Sequence, residues 1–151
     1  MSTFTQSREL PVDAAVACDL VLDWSRDPDW RVAVTAMEVT PTGRARAGQQ
    51  IVERMRFSGL DFVTPTTITE ATGTTATFTG ASSTVRVSGR RSVTPLAEGA
   101  CRVDIVVSVD LRGPLAPLTA LLAPSYRRRH AADLDRLVEL VSGAVASPGG
   151  G

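Results

Sequence analysis

Apolar and polar residues alternate most regularly in the segment Arg102–Leu111. Every second residue from Val103 to Leu111 is apolar, and most of the positions between them carry charged or hydroxyl side chains. Successive side chains of a β-strand point to opposite faces of the sheet. This segment therefore predicts a strand with one buried face and one solvated face.

Six earlier segments are also predicted to be strands. They are rich in Val, Ile, Thr and Phe, which favour extended backbone, and all but the first are separated from the next by a gap that contains glycine. The first ends at Pro11, since proline cannot donate to a sheet ladder. These segments are Thr3–Leu10, Val32–Thr40, Gln49–Phe57, Leu60–Thr69, Thr74–Thr79 and Thr84–Val93.

Helices are predicted in three places. The alanine-rich segment Val12–Asp23 favours a short helix, and Asp27-Pro28 favours a second helical turn. After Gly113-Pro114, apolar and aromatic residues recur every three or four positions, which predicts a long amphipathic helix. That stripe consists of Leu115, Leu118, Leu122, Tyr126, His130, Leu134, Leu137 and Val141.

Strands followed by a helix indicate an α+β fold in which the long helix covers one face of a curved, seven-stranded antiparallel sheet. The 151 residues suit one hydrophobic core. We expect a single ligand-binding domain over residues 1–146 and a flexible tail at 147–151.

Charge and cysteine content narrow the possible functions. Sixteen basic and sixteen acidic residues cancel, so no overall field attracts nucleic acid. Cys18 and Cys101 lack the spacing of a disulfide framework, and no apolar run is long enough to span a membrane. We expect a cytoplasmic protein that binds no nucleic acid, has no membrane span, and is a monomer or weak dimer.

One histidine and two distant cysteines do not make an ordinary zinc site. The sequence contains neither a phosphate-binding loop nor a Gly-x-Gly-x-x-Gly motif. We therefore expect no metal and no cofactor.

Three short motifs, in this order, resemble those of the START-like (SRPBCC) superfamily, which includes polyketide cyclases and dehydrases and lipid-transfer domains. They are a strand ending at Leu10-Pro11-Val12, the segment Asp27-Pro28-Asp29-Trp30, and Gly99 before the last strand. The resemblance implies a helix-grip fold with an apolar cavity between the sheet and the terminal helix. It does not fix one reaction, since one fold hosts many functions.

Tyr126 and His130 lie on the helix stripe, four residues apart, and are the first candidate catalytic pair. His130 could act as an acid or base near neutral pH, and Tyr126 could orient a carbonyl or phenol. The alternative is that both polar tips reach solvent at the rim of the pocket.

Glu53 is the third catalytic candidate, because period two places it on an apolar strand face beside Ile51 and Met55. Burial would make this carboxylate a plausible acid or base, whereas a neighbouring Arg would make it a structural ion pair. Both interpretations stay open. The candidate ligand-binding residues are Trp30, Met55, Phe57, Phe62, Thr64, Thr66 and Leu122.

Three functions fit these residues. The first is binding of a small, largely apolar molecule, polyketide-like or lipid-like, between the sheet and the C-terminal helix. The second is a polyketide cyclase/dehydrase-like enzyme in the same pocket, where holding the reacting atoms together supplies much of the catalysis. The third is a non-catalytic module that grips a protein or ribosomal partner.

Overall fold

A computed structural model describes residues 2–146 of the chain. The predicted tail at 147–151 lies outside the described residues. Seven strands form one sheet in the order β1-β7-β6-β5-β4-β3-β2, and every neighbouring pair is antiparallel. This architecture, with the long C-terminal helix, confirms the predicted α+β helix-grip fold.

The strands are β1 Ser2–Leu10, β2 Val34–Thr40, β3 Gln50–Phe57, β4 Leu60–Ala71, β5 Thr75–Ala81, β6 Val85–Ala97 and β7 Ala100–Leu111. The α-helices are α1 Ala14–Val21 and α2 Leu118–Ala146, and 3₁₀ turns cover Trp24–Asp29 and Gly113–Leu115. The strand expected from Val32 begins two residues later, because the Val34 amide closes a turn onto the Arg31 carbonyl at 3.2 Å.

Strands β2 to β7 are joined in succession as hairpins, and β1 pairs with β7. The predicted turn at Ser58-Gly59 joins β3 to β4 with positive φ at both residues, 51° and 76°. Positive φ at both central positions matches the twist of a two-residue hairpin. The hairpin fixes the register that places Met55 opposite Phe62.

Gly89 in β6 allows a close approach between neighbouring strands. A Cβ atom at Gly89 would lie 2.7 Å from the ring of Phe78, its partner on β5. The absence of a side chain therefore leaves room for the Phe78 ring over this position, where it borders an internal cavity.

Helix α2 contacts β1 and β7 and divides into two parts. Leu134, Leu137 and Val141 are buried in the main core together with α1 and the sheet. The amino-terminal part contributes Leu118 and Leu122 to a second, smaller apolar cluster. Among residues 2–146, no helix is both long enough and apolar enough to cross a bilayer.

Candidate ligand pocket

The outer cavity, of about 70 Å³, lies between the inner face of the sheet and the amino-terminal part of α2. Most of its wall is apolar, and the carboxylate of Glu53 and the phenol of Tyr126 are among its few polar groups. Seven of the ten residues proposed from sequence line it: Glu53, Met55, Phe57, Phe62, Thr64, Leu122 and Tyr126. The structure brings these residues together, and their roles in binding or catalysis stay predictions.

The inner chamber is a second cavity of about 30 Å³. It shares Met55 and Tyr126 with the outer cavity, so these two side chains stand between the two spaces. Trp30 and His130, expected in a single pocket with the others, line this inner chamber instead.

Thr66 lines neither of these cavities, although it shares a strand face with Thr64. It stands opposite Gly80 on β5, and its buried hydroxyl group occupies the space above this glycine. The hydroxyl donates to the Thr64 carbonyl at 3.4 Å. Thr66 lies outside both cavities because its side chain fills the gap left by Gly80, and its role in ligand binding stays a prediction.

Tyr126 is held by two phenylalanines. Its ring centroid lies 4.7 Å from that of Phe4 and 5.7 Å from that of Phe57, the second in an edge-to-face arrangement. Burial raises the pKa of Tyr126 to about 12, against the opposing effect of Arg31. The phenol is therefore protonated at neutral pH and can donate a hydrogen bond into the outer cavity.

Glu53 has an arginine neighbour, as expected if this carboxylate forms a structural ion pair. Its Oε1 atom lies 2.6 Å from Nη1 of Arg31, yet the geometry is not that of a hydrogen bond, and Oε1 has none within the described part of the chain. Burial lowers the pKa of Arg31, but Glu53 and Asp27 outweigh burial and raise it. Glu53 is thus half of an ion pair whose carboxylate still borders the outer cavity.

A buried ion network holds Arg31 in place. Asp27, which is 0% exposed, accepts from Arg31 Nη1 at 2.8 Å and from both terminal nitrogens of Arg91 at 2.8 and 2.7 Å. The Arg91 guanidinium also lies 4.0 Å from the ring centroid of Trp24 and 5.2 Å from that of Trp30. The two tryptophans therefore pack around a buried cation.

Sequence reasoning missed this network. Two other arginines on β6, Arg86 and Arg90, are exposed to solvent. Arg91 has the same parity as the buried Val93, so period two alone places it on the inner face. An arginine on that face required a buried carboxylate, and Asp27 in the Asp-Pro motif supplies it.

His130 is 7% exposed, and neither ring nitrogen has a hydrogen-bond partner among residues 2–146. Burial, followed by the charges of Arg31 and Arg91, lowers its pKa to about 4. The neutral imidazole dominates at neutral pH, in contrast to the titration near neutrality expected from sequence. Within the described residues, no group of three or more His, Cys, Asp or Glu side chains could hold a metal ion.

Solved structures with the same fold include a START superfamily protein from Mycobacterium smegmatis, at 16% identity and a TM-score of 0.74 over 94% of this chain and 98% of that one. The Zhui aromatase/cyclase from Streptomyces sp. R1128 is 12% identical, with a TM-score of 0.74 over 95% of each chain. The di-domain aromatase/cyclase BexL of the BE-7585A biosynthetic pathway is 15% identical, with a TM-score of 0.67 over 98% of this chain and 48% of that one.

None of the curated proteins matches this chain. A family model does match it, over residues 1–142, and its description is polyketide cyclase/dehydrase and lipid transport. That match covers nearly the whole chain and includes every strand, the 3₁₀ turns and most of α2. The chain therefore belongs to the polyketide cyclase/dehydrase and lipid transport family.

Proposed function

We propose that this protein binds a small, largely apolar molecule, polyketide-like or lipid-like, in the outer cavity. The observation that carries the proposal is an apolar-walled cavity between sheet and helix, with few polar groups that could orient a ligand. The family's description names both polyketide chemistry and lipid transport, which supports both ligand classes.

A pair of substitutions in neighbouring residues of α2 tests this proposal. Leu122 lines the outer cavity, whereas Leu121 is 70% exposed on the same helix. Leu122→Trp should fill the cavity, and Leu121→Trp should add the same side chain at the surface. The measurement is calorimetric titration of each variant and the wild type with 2-naphthol, a small aromatic probe with one hydroxyl group.

We expect saturable binding of 2-naphthol to the wild type and to Leu121→Trp, and none to Leu122→Trp. Equal binding by the two variants would place the probe elsewhere. The proposal would be overturned if the wild type bound neither 2-naphthol nor a medium-chain alcohol such as decanol.

Catalysis in the same cavity is a second proposal, based on Glu53 and Tyr126. In this proposal the Glu53 carboxylate removes a proton from a carbon next to a carbonyl group, and the Tyr126 phenol donates a hydrogen bond to that carbonyl oxygen. The resulting enolate is the nucleophile that an aldol ring closure requires. Both side chains line the outer cavity, and the pKa of Tyr126, about 12, keeps the donor protonated.

Deuterium exchange tests this chemistry without a known substrate. The methyl ketone of 2-acetylnaphthalene should take up deuterium from D₂O faster with the wild type than in buffer. Glu53→Gln should remove most of that rate, since a positioned base contributes about 10²–10⁴-fold. If the wild type binds the ketone but exchanges its protons no faster than buffer, the catalytic proposal fails and the binding proposal stands.

A further inference from the structure

The inner chamber is bordered by polar groups that nothing else in the described part of the chain satisfies. Both ring nitrogens of His130, the indole nitrogen of Trp30 and Nε of Arg91 are buried without a hydrogen-bond partner there. These three residues are 7%, 1% and 3% exposed, and all three line the same chamber. Unpaired buried polar groups destabilise a fold, so four such nitrogen atoms on three residues around one cavity indicate a polar ligand group.

The size of the chamber limits what can enter it. A cavity needs about 10–15 Å³ on this scale to admit one water molecule, so the chamber, at about 30 Å³, admits a small terminal group and no aromatic ring. Met55 and Tyr126 border both cavities. A ligand whose body occupies the outer cavity can therefore reach the chamber only with a small terminal group that passes between these side chains.

The hydrogen-bonding character of the wall suits oxygen. Neutral His130 offers one N–H donor and one nitrogen acceptor, while Trp30 and Arg91 offer N–H donors. A hydroxyl group can both donate and accept, and a carbonyl group can accept from two donors. Donors outnumber acceptors among these groups, which favours an oxygen atom with two lone pairs.

The charges around the chamber argue against an ionised ligand group. Arg31, Arg91 and Arg129 are the cations in the wall. Arg31 and Arg91 are already paired with carboxylates, Asp27 for both and Glu53 for Arg31, and the charge of Arg129 acts on Asp133. Asp133 is a further carboxyl group in the chamber wall. A ligand carboxylate would meet three acidic groups, and a ligand ammonium would meet three guanidiniums, so the balanced charges around the chamber favour neither ionised form.

We propose that the inner chamber is a subsite for the neutral oxygen end, a hydroxyl or carbonyl group, of the apolar molecule bound in the outer cavity. The subsite rests on the proposed binding function and adds the class of ligand to it. Molecules with an apolar body and an uncharged oxygen at one end, such as phenols, ketones and alcohols, fit both spaces.

Three probes that share one ring system distinguish a ligand contact in the inner chamber from binding in the outer cavity alone. At about pH 7, naphthalene has no oxygen, 2-naphthol has a neutral hydroxyl group, and 2-naphthoate is an anion. We expect the wild type to bind 2-naphthol about threefold to tenfold more tightly than naphthalene, the gain of one buried neutral hydrogen bond. We expect 2-naphthoate to bind no more tightly than naphthalene.

The only histidine of the chain reports on the chamber directly. In ¹⁵N-labelled protein without a histidine tag, the ring nitrogen signals of His130 should shift when 2-naphthol binds and move far less when naphthalene binds. Substituting His130→Leu should abolish the preference for 2-naphthol while leaving naphthalene binding in place. Trp30→Phe, which removes the indole donor from the chamber wall and leaves His130 in place, should reduce the preference and serves if His130→Leu does not fold.

The outcomes separate the two proposals. Equal affinity of the wild type for 2-naphthol and naphthalene, with unmoved His130 signals, would overturn the subsite and leave the outer pocket intact. A tighter complex with 2-naphthoate than with 2-naphthol would also overturn it. Binding of none of the three probes would overturn the subsite, and failure to bind decanol as well would overturn the proposed function with it.

Discussion

Removing the charge of Asp27 should destabilise the protein strongly. The Asp27 carboxylate accepts three hydrogen bonds of 2.7–2.8 Å, two from Arg91 and one from Arg31. In Asp27→Asn, Arg31 keeps Glu53 as a partner, but Arg91, 3% exposed, becomes a buried cation without a counterion. Breaking a buried pair by removing one partner costs about 3–5 kcal/mol.

Asp29 provides a matched control two residues away. Its carboxylate pairs with Arg26 at 2.8 Å, but both side chains are nearly half exposed. Exposed ion pairs contribute about 0–1 kcal/mol, so Asp29→Asn should have little effect. Both substitutions convert a carboxylate into an amide in the same 3₁₀ turn, but Asp27 is buried between two arginines whereas Asp29 pairs with one arginine at the surface.

Urea unfolding measures the difference. With a slope of about 1–3 kcal/mol per molar urea, a loss of about 3 kcal/mol lowers the midpoint by roughly 1–3 M. Asp29→Asn should remain within a few tenths of the wild-type midpoint. Should the two variants unfold at the same urea concentration, the network of Asp27, Arg31 and Arg91 does not stabilise the fold.

Two further predictions concern α2. The folded-state pKa of His130, about 4, lies below its ordinary value of 6.5. The contribution of neutral His130 to the free energy of unfolding, about 3 kcal/mol, is therefore fully present above pH 6.5 and is lost as the pH falls toward about 4. Urea unfolding at several pH values should show that His130→Leu lacks this loss of stability. The raised pKa of Asp133 acts in the opposite sense, but Asp133 is present in both proteins and does not affect their comparison. Leu137→Ala, at a fully buried position, should lower the free energy of unfolding by about 2–5 kcal/mol and leave the affinity for 2-naphthol unchanged. A large loss of affinity would contradict the division of the helix into two parts.

Periodicity was sufficient to predict the elements and the face on which several site residues lie. The spacing of Leu122, Tyr126 and His130 put them on one side of a helix, and the alternation around Glu53 put it on the inner face of a strand. Those predictions needed only the local geometry of one element. The structure agrees, because all four side chains line one of the two cavities.

Periodicity was not sufficient where contacts join distant elements. Arg91 and Asp27 are 64 residues apart, so neither residue indicates its partner. The low pKa of His130 depends first on burial and then on the charges of Arg31 and Arg91, which are distant from it in the sequence. Thr64 and Thr66 follow the same alternation, yet only Thr64 reaches the outer cavity, since Gly80 gives Thr66 a different place to pack.

The methionine methyl groups allow a direct test of the central claim, that a small apolar molecule binds between the sheet and α2. The chain has three methionines, of which Met55 borders both cavities and Met37 borders neither. In protein labelled with ¹³C at these methyl groups, titration with 2-naphthol should shift the Met55 signal saturably and move the Met37 signal much less. An unmoved Met55 signal at concentrations where calorimetry detects binding would contradict the account.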